Sequence, residues 1–120
     1  MEQTYRRGDV FSADLGAGIG SEQQGVRPVI VIQNDVGNQH SPTVIVAPMT
    51  TQGRKKHELP THCFFDTVEG LNEPSMAILE QIRTIDKKRL SKKLGRLTDS
   101  QMEEINQGLL TIPSLPLPMQ

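Results

Sequence analysis

The chain has few of the cysteine and aromatic residues that stabilise many small proteins. Its 120 residues include one cysteine and no tryptophan, and aromatic residues make up only 3%. One cysteine cannot form an internal disulfide, which argues against a disulfide-stapled fold and suits a reducing compartment. No run of about 18 apolar residues is present, and the amino terminus lacks the pattern of a signal peptide. We therefore expect a cytoplasmic protein without a membrane segment.

The chain as a whole also lacks an excess of positive or negative charge. The 13 basic and 14 acidic residues give a net charge of -1, so any binding to nucleic acid must come from a local patch. Basic residues do cluster in two places, Arg54–Lys56 and the stretch from Lys87 to Arg96. Such runs are most often solvated surface. Histidine and cysteine never occur at metal-ligand spacing, and we expect neither a metal nor another cofactor.

Apolar patterning predicts a mainly β domain. Several short strand-like segments are separated by turn-rich segments, including residues 34–41, which is typical of a sandwich or small barrel. The strand-like segments are residues 9–15, 27–33, 43–50, 61–65 and 75–85. Pro48 lies inside the third of them, which favours an edge position or a bulge there.

The last third of the chain predicts helices instead. Asp86 caps a predicted short helix through Leu94, which ends at Gly95. A carboxy-terminal helix then begins at a capping box formed by Thr98 and Gln101, with a hydrophobic staple around it. We expect one domain over residues 1–112, followed by a flexible, proline-rich tail over residues 113–120.

Arg27 is the strongest candidate for binding an anion. It directly precedes Pro28 and the β-branched run 29–32, which is typical of a strand buried on both faces. Thr50 closes the next long strand, and antiparallel pairing of the two strands would place both residues at one rim of the barrel. An arginine can bind phosphate oxygens with two nitrogens, and a threonine hydroxyl can donate to them. The alternative is an arginine in a surface salt bridge and a threonine that merely ends a strand.

Other polar residues can reach the same rim. They are Ser21, Glu22 and Gln23 on the loop before Arg27, and Gln81 and Arg83 further along the chain. The glycine-rich segment 16–20 resembles a phosphate loop, but the pattern predicts no helix after it, so we interpret it as a mobile loop. Cys63 lies in an apolar alternation and is expected in the core, and the three histidines are expected to be structural or solvated.

Several motifs in collinear order resemble the MazF/PemK toxin family, most closely the MazF toxins of Gram-positive bacteria. The resemblance extends from about Arg7 to Leu110 and is carried by Arg6–Val10, Gly20–Val29, Gln33–Asp35, Ser41–Thr43, Leu59–His62 and Leu79–Asp86. It implies an SH3-like barrel with a carboxy-terminal helix, assembled as a homodimer. It also implies the toxin of a type II toxin-antitoxin system, a sequence-specific, metal-independent endoribonuclease that cleaves single-stranded RNA and is inhibited by a cognate MazE-like antitoxin.

The resemblance also implies roles for particular residues. Arg27 and Thr50 are similar to the family's catalytic pair, with Glu22 as a candidate base. Ser21, Gln23, Gln81 and Arg83 are expected to contact RNA.

Two positions depart from the family pattern. Gln24 replaces a common glycine, which is expected to stiffen the loop, and the segment 52–58 is longer and more basic. Two alternatives stay open, a CcdB-like protein that inhibits gyrase by direct binding and an inactive homologue.

Overall fold

A computed structural model describes residues 3–51 and 59–112 of the chain. The basic cluster Arg54–Lys56, the longer segment 52–58 and the predicted tail 113–120 lie outside the described residues.

Seven strands form one antiparallel sheet, because β-branched and apolar runs alternate with turn-forming residues along the chain. The strands are β1 (Asp9–Asp14), β2 (Val26–Val31), β3 (Thr43–Thr50), β4 (His62–Phe65), β5 (Ser75–Ile78), β6 (Arg83–Asp86) and β7 (Leu90–Arg96). Their order is β4-β5-β3-β2-β1-β7, with β6 also paired to β3. The predicted small SH3-like barrel is confirmed, although β6 and β7 are not paired and the described sheet stays open there.

Two apolar clusters lie on opposite faces of the strands. One contains Val29 and Val31 and is enclosed by β1, β2, β3, β6 and β7. The other contains Ile30 and Ile32 and lies under the carboxy-terminal helix α2 (Asp99–Leu110). Alternation along β2 therefore supplies both clusters, as expected for a strand buried on both faces.

Helix α2 begins where its sequence predicts. The side chain of Thr98 accepts the N–H of Gln101, and the side chain of Gln101 accepts the N–H of Thr98, so the predicted capping box is confirmed. Gly108 lies so close to the sheet that a Cβ atom there would come within 2.5 Å of Leu79 Cδ1 and 3.2 Å of Cys63 Sγ. Close approach of the helix to the sheet explains a glycine in a helix interior.

The predicted helix from Asp86 to Leu94 is wrong. Asp86 does cap, but it caps a 3₁₀ turn over Lys87–Arg89, and the chain continues as β7. Two register shifts in the pairing of β7 with β1 send Leu90 and Leu94 to different clusters, whereas the predicted helix placed them on one face. Pairing with the free edge of β1 outweighs the local helical pattern.

Three smaller predictions also need correction. The expected run 75–85 is interrupted by a 3₁₀ turn over Leu79–Gln81, which separates β5 from β6. The turn-rich segment 34–41 contains a short helix, α1 (Asp35–His40), capped by Asn34. Pro48 is in a central strand, but β6 pairs only with residues 43–46 of β3 and β5 only with residues 49–50. Pro48 pairs with Val29 of β2 on one side, and on the other side of β3 it lies in the gap between two partner strands, a local edge that tolerates proline.

The loop before β5 crosses β7 at very short range. Gly70 has φ of +87°, and a Cβ atom there would lie 1.9 Å from the carbonyl oxygen of Leu94. A Cβ atom on Gly95 would lie 2.1 Å from the carbonyl oxygen of Glu69. Glycine at both positions therefore lets the two backbones cross at a distance that any side chain would prevent.

Candidate active site

The pairing of β2 with β3 brings Arg27 and Thr50 to the same end of the two strands. Val29 is opposite Pro48 and Ile30 is opposite Ala47. Arg27 and Thr50 each lie two residues beyond the Val29–Pro48 pair, so this antiparallel register, if continued, would set them opposite each other on one face. Both residues therefore lie at one end of the β2–β3 pair.

Arg27 is half-buried and oriented by the loop that precedes it. Its Nε donates to the carbonyl oxygen of Gln24 at 3.0 Å. Among the described residues, no partner is found for its two terminal nitrogens, Nη1 and Nη2. Thr50, at the same end of β3, is buried. A guanidinium fixed through one nitrogen and open at the other two can bind two oxygens of one phosphate.

A cleft of about 560 Å³ opens next to this pair. It is lined by Ala17, Ile19, Ser21, Glu22, Gln23, Pro48, Glu80, Gln81, Ile82 and Arg83. This lining includes all five polar residues that the sequence predicted near the rim, namely Ser21, Glu22, Gln23, Gln81 and Arg83. Arg27 and Thr50 are not, although Pro48 is two residues from Thr50 and Gln23 adjoins the Gln24 carbonyl that holds Arg27. The predicted residues thus form a cleft and an adjacent pair.

The loop between β1 and β2 is held by its own side chains. Glu22 Oε1 accepts the N–H of Ile19 at 2.6 Å, and Gln24 Oε1 accepts the N–H of Gly18 at 2.9 Å. The bond from Gly18 gives a structural basis for the expected stiffening by Gln24. No helix follows Gly20, which agrees with the interpretation of this segment as a loop and not a phosphate loop.

Gln81 connects this loop to the 3₁₀ turn Leu79–Gln81. Its Oε1 accepts the N–H of Gln23 at 2.8 Å, and its Nε2 donates to the carbonyl oxygen of Ser21 at 3.1 Å. The side-chain oxygen of Gln23 is buried and has no hydrogen-bond partner in the described part of the chain.

Sequence reasoning missed Glu80, which lines the cleft and is bonded on its other side. Its Oε1 accepts from the Thr61 hydroxyl at 2.7 Å, and its Oε2 is 2.8 Å from Nε2 of His62. Burial raises the pKa of Glu80, but the hydrogen bonds from Thr61 and His62 outweigh it, so the net pKa is lowered. The position of Glu80 directly before Gln81, already a candidate, could have indicated it.

Within the described residues, the remaining reactive groups do not form a second site. Cys63 is in the core as predicted, and burial raises the pKa of its thiol to about 11. Over residues 3–51 and 59–112, no three His, Cys, Asp or Glu side chains are arranged to hold a metal ion. Nor is any helix within these ranges long and apolar enough to cross a membrane.

Much of the basic stretch from Lys87 to Arg96 makes structural contacts. Arg96 and Lys93 both contact the fully buried carboxylate of Asp9, at 2.8 and 3.3 Å. Arg89 donates to the carbonyl oxygen of Asp14 at 3.1 Å. Arg89 and Lys93 are nevertheless exposed, in keeping with a solvated run, and Lys93 and Arg96 in addition supply the partners that a buried carboxylate requires.

Comparison with known proteins supports a specific family. Residues 6–112 match the sequence model of the PemK-like, MazF-like toxins of type II toxin-antitoxin systems. The chain is 52% identical over 105 residues to endoribonuclease EndoA of Bacillus subtilis (strain 168), covering 87% of this chain and 90% of that protein.

Solved structures show the same fold. A mycobacterial endoribonuclease in complex with its cognate antitoxin superposes with a TM-score of 0.75 at 28% identity, covering 96% of this chain and all of that one. MazF from Deinococcus radiodurans has a TM-score of 0.78 at 16% identity, covering 95% of this chain and all of that one, and shows the fold alone. With 107 of its 120 residues inside the family match, the chain belongs to the PemK-like, MazF-like toxins of type II toxin-antitoxin systems.

Proposed function

We propose that the chain is a sequence-specific endoribonuclease that cleaves single-stranded RNA without a metal ion, an mRNA interferase. The observation that carries this proposal is the antiparallel pairing of β2 with β3, whose continued register would set Arg27 opposite Thr50 next to a cleft. Membership of a toxin family and similarity to a named endoribonuclease support the same activity. They also favour it over the CcdB-like inhibition of gyrase.

The proposed reaction is an internal transfer of the phosphodiester. The ribose 2′-hydroxyl attacks phosphorus, a bond from the 2′-oxygen to phosphorus forms, and the bond from phosphorus to the 5′-oxygen breaks. The products are a 2′,3′-cyclic phosphate and a 5′-hydroxyl end. The phosphorane between them carries extra negative charge, which the Arg27 guanidinium and the Thr50 hydroxyl stabilise more than they stabilise the ground state.

Two protons must move in this reaction, and Arg27 is unsuited to moving them because a guanidinium has no acceptor atom and is not deprotonated in proteins. Glu22 is the proposed base for the 2′-hydroxyl. In the structure its carboxylate accepts the N–H of Ile19, so the loop must shift before it can act. The proton that completes the 5′-hydroxyl comes from water or from the protonated base.

The cleft is the proposed binding surface for nucleotides beside the cleaved bond. Ser21, Gln23, Gln81 and Arg83 line it, and Arg83 is exposed on β6 next to the central strand. The carboxamide of Gln23 can read a base edge and Arg83 can bind phosphate, so the lining of the cleft suits RNA.

The proposed partners follow from the family. A MazE-like antitoxin inhibits the chain, in keeping with the mycobacterial relative solved with its cognate antitoxin. The chain is further proposed to form a homodimer and to act in the cytoplasm, where mRNA is translated.

The test is digestion of a single-stranded RNA pool with the purified chain in excess chelator. We expect 5′-hydroxyl and cyclic phosphate ends, and no cleavage of matched DNA, which lacks the nucleophile. Arg27→Ala should lower kcat by about 10²–10³-fold, and the matched control Arg89→Ala should retain activity. Undiminished cleavage by Arg27→Ala would refute the proposed site. Binding to gyrase without RNA cleavage would favour the CcdB-like alternative.

A further inference from the structure

Gln81 does more than line the cleft, because both ends of its carboxamide are in use. The oxygen accepts the backbone N–H of Gln23, and the nitrogen donates to the backbone carbonyl of Ser21. These two bonds join the 3₁₀ turn to a loop about sixty residues earlier in the chain. A carboxamide engaged at both ends cannot read a base while the loop stays in this position.

The turn that carries Gln81 is itself firmly attached to the sheet. Leu79 is fully buried, and its N–H donates to the carbonyl oxygen of Thr61 at 2.9 Å. Glu80 is bonded to the side chains of Thr61 and His62. Gln81 therefore fixes the loop between β1 and β2 to the 3₁₀ turn. Two further side-chain hydrogen bonds of that loop are made within the loop itself.

Gln23 is the residue that this attachment fixes. Its N–H is held by Gln81, while its side-chain oxygen is buried and has no partner among the described residues. Buried acceptors are rarely left unpaired in folded proteins, and one that is unpaired at a cleft wall calls for a donor from a ligand. Nucleobases offer such donors as exocyclic amino or ring N–H groups.

We propose that Gln81 is a positioning residue for RNA recognition, which holds the loop so that the Gln23 carboxamide oxygen accepts a hydrogen bond from a base N–H. Gln81 thus acts on RNA through Gln23. This inference rests on the proposed function, since RNA is the ligand that supplies the base.

The first test needs no RNA. Amide hydrogen exchange of Gln23 is measured by NMR in the free protein and in Gln81→Met, which has a similar shape but neither hydrogen bond. We expect exchange at least tenfold faster in the variant. The control Gln107→Met removes an exposed carboxamide from α2 and should leave Gln23 exchange unchanged. Unchanged exchange in Gln81→Met would overturn the attachment, whether or not the protein cleaves RNA.

The second test is a double-mutant cycle on kcat/KM with a pool of single-stranded oligoribonucleotides. Gln81→Met and Gln23→Met should each lower kcat/KM about tenfold, and both should weaken the base preference at the same nucleotide. The double variant should also lose about tenfold, because residues that act through one contact are not additive. A loss near one hundredfold would show independent contacts and refute the inference.

A variant that keeps half of the attachment guards against misfolding. Gln81→Glu still accepts the Gln23 N–H but cannot donate to the Ser21 carbonyl, so its exchange rate should be intermediate. It replaces Gln81→Met in both tests if that variant does not fold. If the unaltered protein cleaves no RNA at all, the proposed function fails, while the exchange measurement still decides the role of Gln81 in the loop.

Discussion

The helix side of the sheet and the cleft rim are held together in different ways. Under α2, buried apolar side chains and close backbone approaches at Gly70, Gly95 and Gly108 leave little space for change. At the rim, a few side-chain hydrogen bonds made by Glu22, Gln24 and Gln81 hold a loop whose residues are largely exposed. The comparison teaches that substitutions under the helix should cost stability, whereas substitutions at the rim should cost activity.

The largest effect is expected from Gly70→Ala, on the packed side. The new methyl group would lie 1.9 Å from a backbone oxygen at a φ of +87°, so the crossing of the loop over β7 must open. We expect a loss of about 4 kcal/mol or more, measured by urea unfolding. The control is Gly20→Ala on the rim, where φ is +59° and nothing lies within 4 Å. It should cost only about 1–2 kcal/mol, and equal losses at the two positions would break the comparison.

Thr50→Val tests the opposite behaviour at the rim. The substitution keeps the shape of the side chain and removes the hydroxyl that is proposed to donate to the phosphorane. We expect kcat for RNA cleavage to fall about 10²-fold and the unfolding free energy to fall by no more than about 1.5 kcal/mol, the net value of one hydrogen bond. Thr84→Val, at an exposed position of β6, is the matched control and should keep full activity. Full activity in Thr50→Val would remove this residue from the proposed site.

Gly108→Ala sharpens the comparison within the helix side. Alanine favours a helix over glycine by about 1 kcal/mol, but the added methyl group would come within 2.5 Å of Leu79 Cδ1. Overpacking costs about 1–3 kcal/mol, so we expect a net loss of stability in thermal unfolding. The loss should shrink in a Leu79→Val background, which opens space for the methyl group. A gain in stability would show that the helix can move away from the sheet.

The smallest effect is expected at Glu80, which lines the cleft and is hydrogen-bonded to Thr61 and His62. Its pKa in the folded chain is below the ordinary value of 4.5, so its contribution to stability is complete above that pH. The contribution is lost as the pH falls through the lowered pKa. Glu80→Gln should therefore be less stable than the unaltered chain at neutral pH, by less than about 1 kcal/mol, and the difference should vanish in acid. A difference that is independent of pH in urea unfolding would contradict the role of the carboxylate.

Several features of the helix side and of the rim could be predicted from the sequence, because they depend on local patterns. The capping box at Thr98 is formed by residues three apart, and the position of Arg27 and Thr50 at one end of their strands follows from two long strands joined in antiparallel order. The family was also predicted correctly from collinear motifs and is confirmed by the match over residues 6–112.

The rest could not be predicted because it depends on contacts between distant segments. Strand β7 forms by pairing with β1 across two register shifts, which no pattern within residues 86–94 indicates. The bonds of Gln81 to the loop depend on the 3₁₀ turn that interrupts the expected strand 75–85. Local patterns thus identified the cleft residues, whereas the bonds that hold them required the structure.

The most direct test of the proposed chemistry is a crystal structure with an RNA that carries a single 2′-deoxy nucleotide at the cleavage site. That RNA keeps the phosphate and lacks the nucleophile, so it should bind without being cut. We predict that a terminal nitrogen of Arg27 and the hydroxyl of Thr50 both lie about 3 Å from non-bridging oxygens of that phosphate. A phosphate bound beyond hydrogen-bond reach of either side chain would contradict the central claim that the two act on one phosphodiester.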